Sequence, residues 1–244
     1  MIRVHNSTKE STFLALNQIG LDSALGVNGS VLIKINMAAP PKRGHPRTDP
    51  TLLKYVIEYL FNYSANCAIV EGADGYLQQN IACTGLERLI NDRCITLIDI
   101  DSEESERVEV NGEIHYLPVC LKEFPIRIGI PVTTKRPGLV FSNNVKLFLG
   151  IVPRRFYQNG DLRVPRPALH INLHKSIANV YQALMTYAPF NYFINGGIGL
   201  IERNRDFFIR HIYAGNNAVD LDQLVLKDLN IETPEYIKLL NRVK

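Results

Sequence analysis

The sequence predicts an α/β fold with a mainly parallel, Rossmann-like sheet, flanking helices and a β-hairpin region. The first observation is an order of segments (strand, loop, helix, strand) that occurs twice in succession after residue 30. Strands that alternate with helices pair in parallel, because each helix carries the chain back across the sheet. The second observation is an Asn-Gly pair between two alternating runs, which indicates a tight hairpin.

The first strand-helix-strand unit begins with an apolar, β-branched run at residues 31–37. A loop rich in proline, glycine and basic residues follows. Asp49 or Thr48 is placed to cap the next helix, and Pro50 suits its first turn. Apolar residues then recur at helical spacing, namely Leu52, Leu53, Val56, Ile57, Leu60 and Phe61. Residues 67–70 form the second predicted strand.

The second unit consists of a glycine-containing loop at 71–75, a helix around 84–90 and a strand at 95–100. In open α/β sheets, ligands bind beyond the carboxyl ends of the strands. The sequence therefore predicts a site near the residues that fall at those ends, which are Asn36, Glu71 and Asp99.

The rest of the chain supplies a hairpin and several further elements. The hairpin strands are predicted at 107–110 and 113–117, around the Asn111-Gly112 turn. The apolar segment 145–153 has no assigned state. The other elements are strands at 126–132, 192–195 and 207–213 and helices at 173–187, 217–229 and 234–242. We divide the chain into a βαβ-containing half, 1–120, and a basic half, 121–244, that packs on it in one compact α/β unit.

Composition is that of a folded protein, with 244 residues, 46% hydrophobic and 21% charged. A chain of this size needs no disulfide or structural metal. Its four cysteines lack the two-residue gap of metal and cluster sites, so we predict reduced thiols and no cofactor. The N-terminus has no signal-peptide core, and the uncharged stretch 176–201 is interrupted by polar residues, proline and glycine. We expect a cytoplasmic protein that does not cross a membrane.

The net charge of +3 combines two opposed blocks. Residues 71–121 hold 3 Lys/Arg against 11 Asp/Glu, a net charge of −8, and residues 122–175 hold 10 against 2, a net charge of +8. The blocks can pair inside one fold, or they can face different partners, and we expect the second. No nucleic-acid module interleaves aromatic and basic residues, so we expect no nucleic-acid partner.

The loop before the first helix is a candidate anion site. Free N–H groups and the helix dipole favour negative charge at a helix start, and this loop adds cations and polar groups, namely Arg43, His45, Arg47, Thr48 and Asp49. A solvated basic loop is the alternative. The phosphate-binding order GxxxxGK[ST] is absent.

Two further groups of residues are candidate sites. Glu71 and Asp74 are carboxylates three residues apart that suit acid–base work or a cation, or else form a capped turn. His170 and His174 are spaced i, i+4 near the start of the helix at 173–187 and are placed to share a metal on one helical face. No glutamate follows the first histidine as in a zincin, so we favour a structural or substrate-contacting role for both.

Taken in order, seven short runs resemble the DUF362 family, most members of which have no known function. The runs are 32–37 (LIKINM), 47–50 (RTDP), 70–72 (VEG), 84–86 (TGL), 146–153 (KLFLGIVP), 195–197 (NGG) and 218–220 (AVD). The chain departs from the family at Leu147, Asn195 and Asn217, and it lacks the ferredoxin-like insert of many relatives. Electron transfer is therefore not expected. The N-terminal layout is also similar to the cofactor-binding domain of lactate racemase, from which we carry over no cofactor.

The resemblance keeps Lys34, Asn36, Thr48, Asp49, Glu71, Lys146 and Asp220. A lysine in an apolar run needs a carboxylate partner or has a lowered pKa, so Lys34 and Lys146 suit either the binding of a substrate carboxylate or base chemistry next to one. A structural ion pair of Lys34 with Glu71 across adjacent strands is the alternative.

We hypothesise an isomerase- or lyase-type enzyme that binds an anionic small molecule between the 34–49 loop and the 146–174 segment. Candidate catalytic residues are Lys34, Glu71, Lys146 and His174, and candidate substrate-binding residues are Asn36, Arg43, His45, Arg47, Thr48, Asp49, Arg154, Arg155, His170 and Asp220. A binding protein without catalysis and a metal-dependent enzyme using His170 and His174 are the alternatives. A homo-oligomer is compatible with the sequence.

Overall fold

The computed structural model describes residues 1–26, 29–37, 47–73, 75–136, 139–159, 166–201 and 205–242. The strands are β1 (Ile2–His5), β2 (Ser30–Ile35), β3 (Asn66–Glu71), β4 (Thr96–Asp99), β5 (Ser105–Val110), β6 (Glu113–Pro118), β7 (Ile126–Ile130), β8 (Thr134–Arg136), β9 (Val140–Ser142), β10 (Tyr192–Ile201) and β11 (Arg205–Gly215). The α-helices are α1 (Lys9–Gln18), α2 (Leu21–Leu25), α3 (Pro50–Phe61), α4 (Leu77–Ala82), α5 (Glu87–Asp92), α6 (Asn144–Leu147), α7 (Pro167–His170), α8 (Leu173–Tyr187), α9 (Ala218–Asp228) and α10 (Glu235–Asn241).

The main sheet has the strand order β1-β11-β10-β7-β2-β3-β4, with β8 and β9 attached beside β10. Neighbours from β10 to β4 are parallel, and β11 and β1 add antiparallel pairs at the other edge. The α/β, mainly parallel prediction is confirmed. Strands from residues 1–120 and from 121–244 share this sheet, because β7 lies between β2 and β10; the division of the chain at residue 120 stays a prediction.

Two apolar layers cover the sheet because the central strands are buried on both faces. On β2, Leu32 belongs to the apolar cluster that includes residues of α8, α9 and α10, while Val31 and Ile33 belong to the cluster that includes residues of α1, α3 and α5. A parallel strand covered on both faces reads as a continuous apolar run, which is the pattern of residues 31–37. Lys34 interrupts that run and is 1% exposed.

Local signals in the first unit and the hairpin correspond to observed contacts. Asp49 caps α3 by accepting a hydrogen bond from the Thr51 N–H at 2.7 Å, and Pro50 is the first helical residue. Asn111 and Gly112 have φ of 51° and 73°, the positive values that a type I′ turn requires. β5 and β6 pair as a separate two-stranded sheet that packs on α8.

Two predicted elements differ from the structure, and the structure defines one segment that the sequence left unassigned. The second crossover contains α4 as well as α5, and the unassigned segment 145–153 is the end of α6 followed by single turns. The strand predicted at 192–195 continues to Ile201, because Gly197, at φ 71°, lies at a bulge that shifts the register without ending the ladder. Cross-strand pairing thus continues the strand past Gly196 and Gly197, where the sequence predicted that it ends.

The opposed charge blocks pair with each other inside the fold. Lys122 binds Glu106 at 2.6 Å, Lys175 binds Glu113 at 2.6 Å, and Arg166 lies 3.7 Å from Asp101. The expectation that the blocks face different partners is corrected to this extent, because the hairpin and the loop before it bring acidic residues onto α8 and Arg166.

None of the helices in the described ranges combines the length and the apolar character that crossing a bilayer requires.

Candidate functional site

The strand order puts the expected ligand site, called the crevice below, at the carboxyl ends of β2 and β7. From β2 the chain moves outward to β3 and β4, and it then returns to β7 on the other side of β2. This reversal is a topological switch point, the place where open α/β sheets bind ligands. The Thr48 hydroxyl lies there: it donates to the Ile130 carbonyl at 2.6 Å and accepts from the Asn36 N–H at 2.8 Å.

A buried ion pair lies beside this crevice. Lys34 Nζ donates to Glu71 Oε1 at 2.8 Å and to the Ile35 carbonyl at 2.7 Å. Glu71 also accepts from the N–H groups of Met37 and Gly72 at 2.7 and 2.8 Å. The two side chains are only 1% and 5% exposed. The ion pair between adjacent strands, which the sequence left as an alternative, is therefore present.

Burial lowers the pKa of Lys34, because removing an ammonium from water disfavours its charged form. Glu71 opposes this shift by its charge and its hydrogen bond, and the more distant Arg166 reinforces it. The Lys34 ammonium thus loses its proton more readily than it would in water. It contacts the Glu71 carboxylate, a group that can take up or return a proton.

A second buried charge, Arg166, extends the cluster. Its side chain is 7% exposed, lies 3.7 Å from Asp101 Oδ1 and donates to the carbonyls of Val152 and Gly150. Burial lowers the pKa of Arg166, although Asp101 and Glu71 oppose the shift. The cluster therefore holds two cations and two carboxylates in a dry region.

The chain from residue 143 to residue 154, called the cover segment below, crosses the carboxyl edge of the sheet. It begins near β10, where Asn143 Oδ1 accepts from the Thr133 hydroxyl at 3.1 Å and Asn195 of β10 donates to the same hydroxyl. It passes over β7 and then over the ion pair, where a Cβ built on Gly150 would lie 3.4 Å from Lys34 Nζ. It ends where the Arg154 N–H donates to Asp101 at 2.6 Å.

Three buried amides at or next to the start of the cover segment have incomplete hydrogen bonding. Asn195 Nδ2 donates to the Thr133 hydroxyl at 3.3 Å, but Asn195 Oδ1 has no partner within the described residues. Asn144 Oδ1 also lacks one there, and Asn143 Nδ2 faces the Asp222 carboxylate without a hydrogen bond of ordinary geometry. Such atoms are normally satisfied by water or a ligand.

The predicted site residues fall into three groups. Lys34, Asn36, Thr48, Asp49 and Glu71 meet at the carboxyl edge, with Arg47 directly before Thr48. Lys146 and Arg154 lie half-buried in the cover segment, and Arg155 is exposed beside it, donating to the carbonyls of Asp101 and Glu103. Arg43 and His45 lie outside the described residues.

The two histidines do not share a helical face as predicted. His170 ends α7, and its Nδ1 lies 3.1 Å from the Arg166 carbonyl, whereas His174 belongs to α8 and stacks on Tyr236. The i, i+4 rule holds only within one continuous helix, and here the helix is interrupted between α7 and α8. Among the described residues there is no group of three or more His, Cys, Asp or Glu that could hold a metal.

Asp220 lies half-buried in the first turn of α9, where its N–H donates to Asn217. Sequence reasoning missed its neighbour Asp222, which is fully buried, as well as Arg166 and Asp101. Asp101 stands two residues after Asp99, at the end of the predicted strand, so the same strand-end rule could have singled it out. Arg166 and Asp222 carry no comparable sequence signal.

Comparisons with known proteins agree with the observed fold and identify a protein family that the chain matches. The model of a family described as "Domain of unknown function (DUF362)" matches residues 31–227. The structure of the lactate racemase apoprotein from Thermoanaerobacterium thermosaccharolyticum is similar, with a TM-score of 0.56 and 16% identity over 87% of this chain and 53% of that one. At this identity the likeness shows the fold alone, and this chain spans about half the length of that protein.

A second solved structure, of putative Zn-dependent alcohol dehydrogenases from Rhodobacter sphaeroides, aligns with a TM-score of 0.31 and 9% identity over 79% of this chain and 48% of that one. That score is too low to indicate a common fold. No curated protein sequence matches the chain.

Proposed function

This chain belongs to the DUF362 family, whose description assigns no activity, and we propose from its own site that it is an enzyme of isomerase or lyase type. It transfers a proton to or from a carboxylate- or phosphate-bearing small molecule bound at the carboxyl ends of β2 and β7. The observation that supports this proposal most directly is Lys34, a buried lysine with a lowered pKa that lies 2.8 Å from Glu71 at the switch point.

Lys34 suits proton transfer because its two protonation states are closer in energy than those of a lysine in water. Two of its ammonium donors are engaged by Glu71 and the Ile35 carbonyl. The cover segment lies over it at Gly150, so a substrate reaches Lys34 when that segment moves. Glu71 receives the proton or holds the ammonium in place.

The anionic nature of the substrate rests on the cations around the crevice. Arg47 adjoins Thr48, Lys146 and Arg154 lie in the cover segment, and Arg166 lies beneath it. Arginine matches the two oxygens of a carboxylate or the oxygens of a phosphate. The fold similarity to a racemase supports an isomerase. A reducing compartment such as the cytoplasm is proposed on the four thiols, each of which is free.

The second candidate is a ligand-binding protein without catalysis, and one observation favours it. Glu71 accepts from Lys34 and from two backbone N–H groups, so its oxygens are occupied in the manner of a structural carboxylate. In this reading the pair fixes the β2 and β3 ends, and the ligand contacts only the cations around them.

The two candidates separate in one experiment. Carboxylates and phosphates are screened for thermal stabilisation, and each ligand found is incubated with the protein in D2O while proton NMR follows its carbon-bound hydrogens. An enzyme of the proposed type replaces one of them with deuterium. Stabilisation with no deuterium uptake by any ligand contradicts the proposal and favours the binding protein.

Lys34→Arg tests the assigned lysine. Arginine keeps the charge and the pairing with Glu71 but does not release its proton near neutral pH, so deuterium uptake falls by about 100-fold or more. Lys122→Arg is the matched control, because Lys122 forms an exposed pair with Glu106 on β5, and it retains full uptake. Retained uptake in Lys34→Arg removes Lys34 from the mechanism.

A further inference from the structure

A fully buried carboxylate, Asp222 of α9, holds the start of the cover segment. Its Oδ1 accepts from the backbone N–H and the side-chain Nδ2 of Asn144, both at 2.9 Å, and its Oδ2 accepts from the Val145 N–H at 3.0 Å. Asp222 is 0% exposed. A distant helix thus supplies three acceptor contacts to two neighbouring residues of the cover segment.

These contacts replace a local cap. The first amides of a helix have no partner inside the helix, and a side chain just before it usually accepts from them. Asn143 occupies that place before α6 but makes no such bond. The first turn of α6, which carries Lys146, therefore depends on Asp222 for its hydrogen bonding.

No cation compensates the Asp222 charge among the described residues. The titratable groups that interact with it are Tyr181 of α8 and Tyr236 of α10. The charged side chains nearest in sequence to the contact, on the two elements that it joins, are Asp220 of its own helix and Lys146 of α6. Burial raises the pKa of both tyrosines, so they stay neutral. Burial also raises the pKa of Asp222 to about 7, although the donors of Val145 and Asn144 oppose the shift. Asp222 therefore titrates near neutral pH.

We propose that Asp222 is a positioning residue that ties the cover segment to α9 while it is ionised and loosens the first turn of α6 when it takes up a proton. Protonation turns one acceptor oxygen into a donor and removes the charge that strengthens the other contacts. Asn144 Oδ1, which has no partner in the described part of the chain, can accept the new O–H if its amide turns over. Loosening removes these donors while Asp222 stays buried, so the pKa of Asp222 is higher in the loosened state than in the tied one. The crevice therefore has a cover that is held more firmly above neutral pH.

The inference rests on the proposed function only in treating Lys146 and Lys34 as part of the site, and its test needs no substrate. Amide hydrogen exchange of Asn144 and Val145 is measured on the full chain at about pH 6 and about pH 8 and corrected for the intrinsic exchange rate. Both amides should lose protection by about 10-fold or more at the lower pH, while Ile128 and Ile33 in the central strands remain unchanged.

Asp222→Asn is the direct variant, and Asp228→Asn is its control on the same helix, where Asp228 binds Arg3 and Tyr213 instead. Asp222→Asn should lower the protection of both amides and abolish its pH dependence, and Asp228→Asn should leave both as in the wild type. If the wild-type amides exchange equally at both pH values, or if Asp222→Asn keeps their protection, the proposal is wrong.

A second variant keeps the test decisive should Asp222→Asn fail to fold. Asn144→Ala removes one donor to the carboxylate, and so it should move the pH midpoint of the protection change upward. An unchanged or lower midpoint contradicts the assignment of the transition to Asp222.

Discussion

The Asp49 carboxylate joins α3 to β10 through the backbone N–H of Ile198. Its Oδ2 accepts from Ile198 at 2.9 Å while its Oδ1 caps α3 at Thr51. Gly197 passes so close that a Cβ built on it would overlap Asp49 Oδ2. One side chain therefore caps a helix and also satisfies a β10 N–H group at the edge of the candidate site.

We expect Asp49→Ala to lower the free energy of unfolding by about 2 kcal/mol, since a lost helix cap costs roughly 0.5–2 kcal/mol and the partly buried Ile198 N–H loses its acceptor as well. Urea unfolding measures the difference. The control is Thr8→Ala, which removes only the exposed cap of α1. An equal loss in the two variants would show that the contact with Ile198 contributes nothing.

The Lys34–Glu71 pair should show strong energetic coupling. Removing one partner of a buried pair typically costs about 3–5 kcal/mol, because the other charge remains buried alone. Lys34→Met should therefore destabilise the protein by that amount. The double variant Lys34→Met/Glu71→Gln should recover a part of it, since the glutamine that replaces Glu71 is neutral but satisfies only one of the two backbone donors. Urea unfolding of the single and double variants gives the coupling. A double variant no more stable than Lys34→Met would contradict it.

Gly72 is required for the close approach of Arg166. A Cβ at residue 72 would overlap Arg166 Nη2 and lie 2.8 Å from the Gly150 carbonyl. Gly72→Ala should therefore displace Arg166 and the cover segment and destabilise the fold by about 1–3 kcal/mol, the usual cost of overpacking.

Gly75→Ala is the matched control, because residue 75 has open space and only a φ of 78° to oppose a side chain. It should cost about 1 kcal/mol and leave anion binding unchanged. Thermal shift with the carboxylates and phosphates of the ligand screen separates the two variants: weakened binding is expected in Gly72→Ala alone, and equal binding in both would remove Arg166 from the anion site.

His115 should make the protein less stable in mild acid. The ring is 2% exposed, neither nitrogen has a hydrogen-bond partner within the described ranges, and burial lowers its pKa. A histidine whose pKa is lower in the folded state contributes stability above its unfolded value of about 6.5, and that stability is lost as the pH falls through the folded value.

His115→Phe removes this titration, so the drop in melting temperature below about pH 6.5 should become smaller than in the wild type. Thermal melts over that range test it, with His170→Gln as an exposed control. An identical drop in His115→Phe and wild type would mean that other groups cause the acid sensitivity. Asp222 acts in the opposite direction on global unfolding, which exposes its carboxylate to water: an acid whose pKa is raised in the folded state weakens the whole fold as the pH rises from about 4 to about 7, although its ionised form ties the cover segment locally.

Local signals in the sequence were sufficient for several elements of the fold. The apolar run 31–37, the Asp49-Pro50 cap and the Asn111-Gly112 turn define β2, α3 and the hairpin, because strand burial, helix capping and turn geometry depend on residues within a few positions of each other. The strand-end rule placed Asn36 and Glu71 at one edge of the sheet, because parallel strands end on the same side, whereas Lys34 was singled out by the family resemblance, and Thr48 by that resemblance and its place before the first predicted helix.

The contacts that those residues make depend on the tertiary structure. Arg166 and Asp101 are 65 positions apart, Asp222 and Asn144 are 78, and the break between α7 and α8 separates the two histidines. Contacts over such separations depend on how the helices pack on the sheet, which no periodicity encodes. The strand order also makes the acidic and basic blocks face each other, because the return of the chain to β7 places the basic half beside the acidic hairpin.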